Sequence, residues 1–277
     1  MGVFSTLLYD TQLYYDDRGA GQPVVFAHGW SSNSKAFDPL IQPLLATGKY
    51  RVISYDQRGH GASASCDKGL TMQQLGRDLH ALITALGLKD VILVGHSMGA
   101  MTIYSYIDQF GCDNVKKCVF IDMSPKLLND ADWSLGYRKV NKTLEVLEQD
   151  MDEICEDFDK FLYRFYGEVI PVFTTFPETL AMLIRPGLIG INDRRILALL
   201  WWSMFRADFR GAFDKLTVPA LYFYPENGLY PKEAASEYMA QHSKSTVKVV
   251  ECAGASHMVT IEQPGFLVQE IRAFLEA

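Results

Sequence analysis

Gly95-His96-Ser97-Met98-Gly99 sets a serine between two glycines, directly after the apolar run Val91-Ile92-Leu93-Val94 and before a helix-like run from Ala100 to Gln109. Strand, tight turn and helix in that order form a nucleophile elbow. The turn strains the backbone of its central residue and projects the serine hydroxyl from the top of a sheet. Side chains at the flanking positions would strike the adjoining strand and helix, which is why both are glycine. A serine hydroxyl is a poor nucleophile at neutral pH and needs a neighbouring base, usually histidine. His257, in Ala255-Ser256-His257-Met258, follows the last strand-like run and precedes the C-terminal helix, so it is the expected base. Acyl transfer also needs preorganised backbone N–H groups where the oxyanion develops. His28-Gly29-Trp30 follows the run Val24–Ala27, so the N–H groups of Trp30 and Met98 are the expected oxyanion-hole donors, with the Trp30 side chain bordering the pocket.

The other histidines read differently. His28 reads as a structural member of its turn rather than a second base. Asp56-Gln57-Arg58-Gly59-His60-Gly61-Ala62-Ser63 follows the run Arg51–Tyr55 and reads as an Asp/Arg network that ties down a loop beside the site, with Gly59 and Gly61 there for backbone conformation. His60 is not expected to be catalytic. His80 and His242 read as members of solvated faces.

These residues need a scaffold that brings strand ends together. Val3–Leu8 and Gln12–Asp16 alternate as a hairpin turning at Tyr9-Asp10-Thr11. Apolar runs follow at Pro23–Ala27, Arg51–Tyr55, Val91–Val94, Cys118–Ile121, Ala220–Tyr224 and Val247–Val250. Helical-period segments at Ala36–Leu45, Met72–Leu86, Met101–Gln109 and Phe266–Leu275 separate most of them. That alternation predicts an α/β fold, a mostly parallel central sheet flanked by helices on both faces. Chemistry in such sheets sits on loops at the strands' carboxyl ends, where the candidates fall. Residues 124–212 break the alternation: they are helical in period and rich in aromatics, among them Trp133, Tyr137, Phe158, Phe161, Phe165, Phe173, Phe176, Trp201 and Phe205. Most of these are expected in helix cores, and the segment is read as a helical cap (lid) inserted between two parts of the core, 1–123 and 213–277.

Composition narrows the class. A chain of 277 residues with 48% apolar and 21% charged residues is that of an ordinary globular protein. A formal net charge of -7 argues against nucleic acid or an anionic membrane as partner. The five scattered cysteines form no C-x-x-C pair and no metal-ligand spacing with histidine, which reads as reduced thiols in a cytoplasmic protein. The N-terminus has no basic region leading into an apolar run. The longest apolar stretch, Ile196–Phe205, is about half a membrane span. Met1–Thr6 fits the loose myristoylation pattern, but the same residues lead directly into the first strand.

Together, H-G-W, D-x-R-G-x-G-x-S, G-H-S-M-G and a G-x-x-S-H-M-x-x-x-E-x-P run (Gly254 through Glu262 and Pro264) make the chain resemble the α/β-hydrolase superfamily over nearly all of residues 3–277. The resemblance is to the branch of carboxylesterases, arylesterases, cofactor-free haloperoxidase/perhydrolase types and lactonases. It implies an inserted cap on an α/β-hydrolase fold, a Ser-His-acid triad, an acyl-enzyme and no cofactor or metal. The acid is where this chain departs from the pattern. Most relatives carry an Asp after the penultimate strand, and that position aligns here with Gly228. Glu226 stands two positions early. The superfamily's other solution puts the acid after the preceding strand, where Asp122 lies in Phe120-Ile121-Asp122-Met123; Asp122 is favoured, with Glu226 the alternative.

The expected function is hydrolysis of a small to medium apolar carboxylic ester, with thioester, lactone or amide hydrolysis open to the same machinery. Its partner is that small molecule, not nucleic acid or membrane, and both monomer and homodimer fit. Two rivals use the same fold: a cofactor-free dioxygenase in which a His-Asp pair deprotonates an aromatic substrate, and a ligand sensor that signals through its cap.

Overall fold

A computed structural model describes residues 2–5, 11–63, 66–169 and 193–277. The eight strands are β1 (Gly2–Ser5), β2 (Gln12–Gly19), β3 (Gln22–Ala27), β4 (Tyr50–Tyr55), β5 (Val91–His96), β6 (Val115–Ile121), β7 (Ala220–Asn227) and β8 (Val247–Ser256). They form one sheet in the order β1-β2-β4-β3-β5-β6-β7-β8. β1 pairs with β2 and β2 with β4 antiparallel, and every later pairing is parallel. The expected hairpin is therefore present as β1–β2, but its turn at Tyr9–Asp10 lies outside the described residues, as do Met1, Thr6, Phe173 and Phe176.

Among the described residues the main helices are α1 (Asp38–Leu45), α2 (Met72–Ala85), α3 (Met98–Phe110), α4 (Leu144–Glu156), α5 (Phe158–Val169), α6 (Arg194–Arg206) and α7 (Pro264–Glu276). The central strands carry continuous apolar runs, such as Val91–Val94 and Cys118–Ile121, because both of their faces are covered there. The period of two sorts each strand's side chains between the faces. Val24 and Phe26 of β3, Ile92 and Val94 of β5, and Val119 and Ile121 of β6 meet Leu40, Ile41 and Leu44 of α1 and Leu267 and Ile271 of α7. Val25, Val91, Leu93, Cys118 and Phe120 face the opposite way, into a core with Leu75, Leu79 and Leu82 of α2 and Met101 and Tyr104 of α3. The same core continues into Phe161, Leu197, Trp201 and Phe205, so α5 and α6 share apolar contacts with the body of the molecule.

Two strands run longer than the apolar runs suggest, and both extensions matter. β5 continues through Gly95 and His96, because Gly95 pairs with Ala27 on one side and Phe120 on the other. β7 continues to Asn227, with Pro225 and Asn227 pairing to Cys252 and Ser256 of β8. Glu226 therefore sits within an edge-ward strand pair, not on a free loop.

Candidate active site

Ser97 occupies the one-residue link between β5 and α3 and holds φ 54°, ψ -125°, a conformation that costs a non-glycine residue on the order of 1–3 kcal/mol. Close approach enforces it. A Cβ at Gly95 would lie 2.6 Å from the Ala100 nitrogen, and one at Gly99 would overlap the Ala27 carbonyl. The Ser97 N–H donates to the Ile121 carbonyl at 3.0 Å, so the turn is fastened to the neighbouring strand. Ser97 is the N-cap of α3, but its hydroxyl caps nothing and lines a cavity instead.

Asp122 is the next residue along β6 from Ile121, in register with this turn, and it also has a positive φ of 43°. Its N–H donates to the Phe223 carbonyl at 3.1 Å. His257 follows β8 directly, and its Nδ1 lies 2.7 Å from Asp122 Oδ2 in a buried contact. The same oxygen accepts the Leu229 N–H at 3.0 Å. Asp122 is fully buried, and its Oδ1 has no hydrogen-bond partner among the described residues. Glu226 points elsewhere: its carboxylate accepts the Gly254 N–H at 2.8 Å at the exposed edge of the β7–β8 pair. The structure thus brings Ser97, His257 and Asp122 to three strand ends and leaves Glu226 outside that group. Gly228 gains a meaning that the sequence did not disclose. A Cβ there would lie 2.6 Å from Asp122 Oδ2 and 2.7 Å from Oδ1, so only glycine leaves room for the carboxylate.

The Trp30 and Met98 N–H groups donate to no acceptor among the described residues, and Trp30 and Ser97 line the same cavity. Met98 is the first residue of α3, where backbone donors have no partner within the helix.

Three other histidines stand near the site, His28 and His60 buried and His96 half-buried, and desolvation lowers the pKa of each. His28 accepts the Gln57 N–H on Nε2 at 2.9 Å, which leaves Nδ1 to donate to the Gly29 carbonyl at 2.8 Å. His60 repeats the device, with Ser31 N–H on Nε2 at 3.1 Å and the Arg58 carbonyl on Nδ1 at 3.0 Å. Their rings meet edge to face at 5.1 Å. Burial lowers the His28 pKa and pushes His60 down to about 3. Desolvation likewise takes His96 down to about 3, and its Nε2 is 2.8 Å from the His257 carbonyl. With both ring nitrogens engaged, His28 and His60 are joints between loops. The Asp/Arg network expected in the loop after β4 is present with different pairing. Asp56 accepts the N–H groups of Ser34 and Ala62 at 2.7 Å each. Arg58 instead makes a buried bidentate pair with Asp78 of α2, both contacts 2.8 Å. His80 is half-buried, its ring stacked on the exposed Phe110 at 4.0 Å.

The cavity over Ser97 and His257 holds about 720 Å3 of empty space, its mouth included. Trp30, Phe165, Trp201, Phe205 and Tyr230 supply its aromatic wall, and no Lys, Arg, Asp or Glu lines it among the described residues. Trp30 binds the helical segment in two ways. Its ring packs on Phe158, Phe161, Phe165 and Trp201 at centroid distances of 5.0–6.4 Å. Its indole N–H donates to the Leu197 carbonyl of α6 at 2.9 Å. Behind the aromatics, Asp150 of α4 is buried and takes Lys142 at 2.9 Å, Arg164 at 2.7 Å and the Trp201 indole N–H at 3.0 Å. No motif in the sequence announces that network, because its members are spaced by tertiary contact alone.

The family model described as the alpha/beta hydrolase family matches residues 24–270. The chain belongs to the alpha/beta hydrolase family. Within it, the chain is 35% identical over 276 residues to a non-heme chloroperoxidase of Streptomyces lividans, covering 96% of this chain and 97% of that protein. It is 26% identical over 274 residues to a bifunctional esterase/perhydrolase of Acinetobacter calcoaceticus, covering 96% of each. Among solved structures, an esterase from Exiguobacterium antarcticum superposes with a TM-score of 0.85 at 24% identity over 100% of both chains, a likeness of fold. No helix among the described residues is long and apolar enough to cross a membrane.

Proposed function

We propose that the protein is a serine hydrolase of small to medium apolar carboxylic esters. The observation that carries this reading is the buried 2.7 Å contact between His257 Nδ1 and Asp122 Oδ2, beneath a cavity that Ser97 also lines. Asp122 accepts the Nδ1–H and so leaves the Nε2 lone pair free to take a proton. As Ser97 Oγ attacks the ester carbonyl, its proton passes to His257 Nε2. The carbonyl oxygen gathers charge against the Trp30 and Met98 N–H groups, at the positive end of α3. Collapse of the tetrahedral adduct breaks the ester C–O bond, and the imidazolium protonates the departing alcohol. A water deprotonated by His257 then attacks the acyl-enzyme, and its collapse frees the acid and returns the proton to Ser97.

The aromatic wall favours an apolar acyl or alcohol group, because no charged side chain among the described residues lines it to pair with an ionised substrate. In this reading, residues 124–212 act as a cap, of which the described α5 and α6 contribute Phe165, Trp201 and Phe205 to the pocket. The relative named as an esterase/perhydrolase favours one variation, in which hydrogen peroxide replaces water at the second step and the acyl-enzyme leaves as a peracid.

The test pairs covalent labelling with turnover. A fluorophosphonate should label the wild type at Ser97, p-nitrophenyl acetate or butyrate should be hydrolysed, and both signals should vanish in Ser97→Ala. Labelling without turnover would turn the reading toward a ligand sensor. Turnover that survives Ser97→Ala would remove the acyl-enzyme altogether.

A further inference from the structure

Arg138 lies on the segment that leads from β6 toward α4, and it is exposed. It nevertheless makes four hydrogen bonds to one short stretch of chain, the end of β7 and the turn after it. Its backbone N–H donates to the Leu229 carbonyl at 3.0 Å. Nε donates to the Gly228 carbonyl at 3.1 Å, Nη1 to the Tyr224 hydroxyl at 3.2 Å, and Nη2 to the Glu226 carbonyl at 2.7 Å. A planar guanidinium with five donors in a fixed fork can bracket a turn in this way, whereas a point charge cannot.

What the turn does gives this clamp its interest. Leu229 donates its N–H to Asp122 Oδ2, the oxygen in contact with His257, while Oδ1 has no partner among the described residues. The buried carboxylate is thus oriented by two donors, one of them the imidazole it must itself orient. Gly228, the residue whose carbonyl Arg138 holds, is also the one whose missing side chain makes space for that carboxylate. We infer that Arg138 is a positioning residue for the reaction: by bracketing residues 224–229 it fixes the Leu229 N–H against Asp122 and thereby fixes His257. The inference rests on the reading of Asp122 as the triad acid. Among the described residues, other titratable groups near Asp122 include Tyr104, Tyr222, Tyr230, Cys252 and Lys139, and none of these five is hydrogen-bonded to its carboxylate.

A double-mutant cycle on ester hydrolysis separates this role from a general structural one, because residues acting through one group are non-additive. Arg138→Met should lower kcat about 10-fold with KM within about 2-fold, and Arg138→Lys should fall between it and the wild type. In an Asp122→Asn background, itself much slowed, Arg138→Met should cost nothing more. Equal losses in both backgrounds, or a wild-type kcat in Arg138→Met, would overturn the inference while leaving Asp122 as the acid. Full activity in Asp122→Asn would instead remove the reading on which it rests.

Discussion

The carboxyl ends of β6 and β7 lie side by side, and each carries one acidic residue. Asp122 follows the last residue of β6 in a fully buried position, with a positive φ, an N–H bonded across to β7 and a carboxylate against His257. Glu226 stays inside β7, which pairs with β8 as far as Asn227, so its carboxylate turns to the Gly254 N–H at the exposed edge. An acid's usefulness here is decided by where its strand stops. β6 releases its chain one residue before Asp122, at the height of the elbow. β7 keeps pairing past that height and offers only backbone, the Leu229 N–H and the space at Gly228.

Substitutions can break this contrast in order of severity. Asp122→Asn should lower kcat by about 10⁴ with the fold retained, as loss of a triad acid does elsewhere; steady-state kinetics beside a circular-dichroism spectrum would show it. A modest loss would mean that the β6 end is not where the imidazole is oriented. Gly228→Ala should come next, lowering kcat roughly 10- to 100-fold, since an added Cβ must displace the carboxylate it would touch. A crystal structure of that variant should show Asp122 or the turn shifted.

The contrast extends to the histidines, of which His257 is given a carboxylate while the buried His28 and His60 and the half-buried His96 have backbone partners. The folded-state pKa values of the three are lowered from 6.5, to about 3 for His60 and His96. The unfolded chain therefore binds more protons between those values. For His60 and His96 the contribution is complete above about pH 6.5 and is lost as pH falls toward about 3, by roughly 1 kcal/mol per pH unit for each in mid-range; His28 adds in the same direction. Melting temperatures across that window should fall, and His60→Asn should flatten the slope. Smallest of all, Glu226→Gln should leave kcat and KM within about 2-fold of wild type, because the amide oxygen can still accept from Gly254. A large loss there would move the acid to β7 and undo the comparison.

The fold was readable because its pattern is local. Strand runs such as Val91–Val94 are apolar throughout because two helical layers cover them, and the alternation with helices follows directly. The elbow was readable because one short peptide contains the strand end, the turn and the helix start. The acid was narrowed to two residues and no further, since both stand near strand ends and only the pairing length of β7 with β8 separates them. Arg58 shows a related limit. Its neighbour Asp56 suggested the partner, yet the guanidinium reaches Asp78 on α2, and Asp56 caps backbone N–H groups instead. The Asp150 network was invisible for the same reason, since its members converge only after α4, α5 and α6 assemble.

Trp30 is read here as an oxyanion donor through its main chain, and it is a keystone of the roof through its side chain. Its indole grips α6 at Leu197 while its ring fills the gap between α5 and α6. Selectivity and speed are therefore not independent traits in this molecule. A lineage that reshapes the wall by substituting α5 or α6 also disturbs the residue proposed to stabilise the charge. New substrates should be gained at some expense in turnover, and later recovered by changes near residues 29–31.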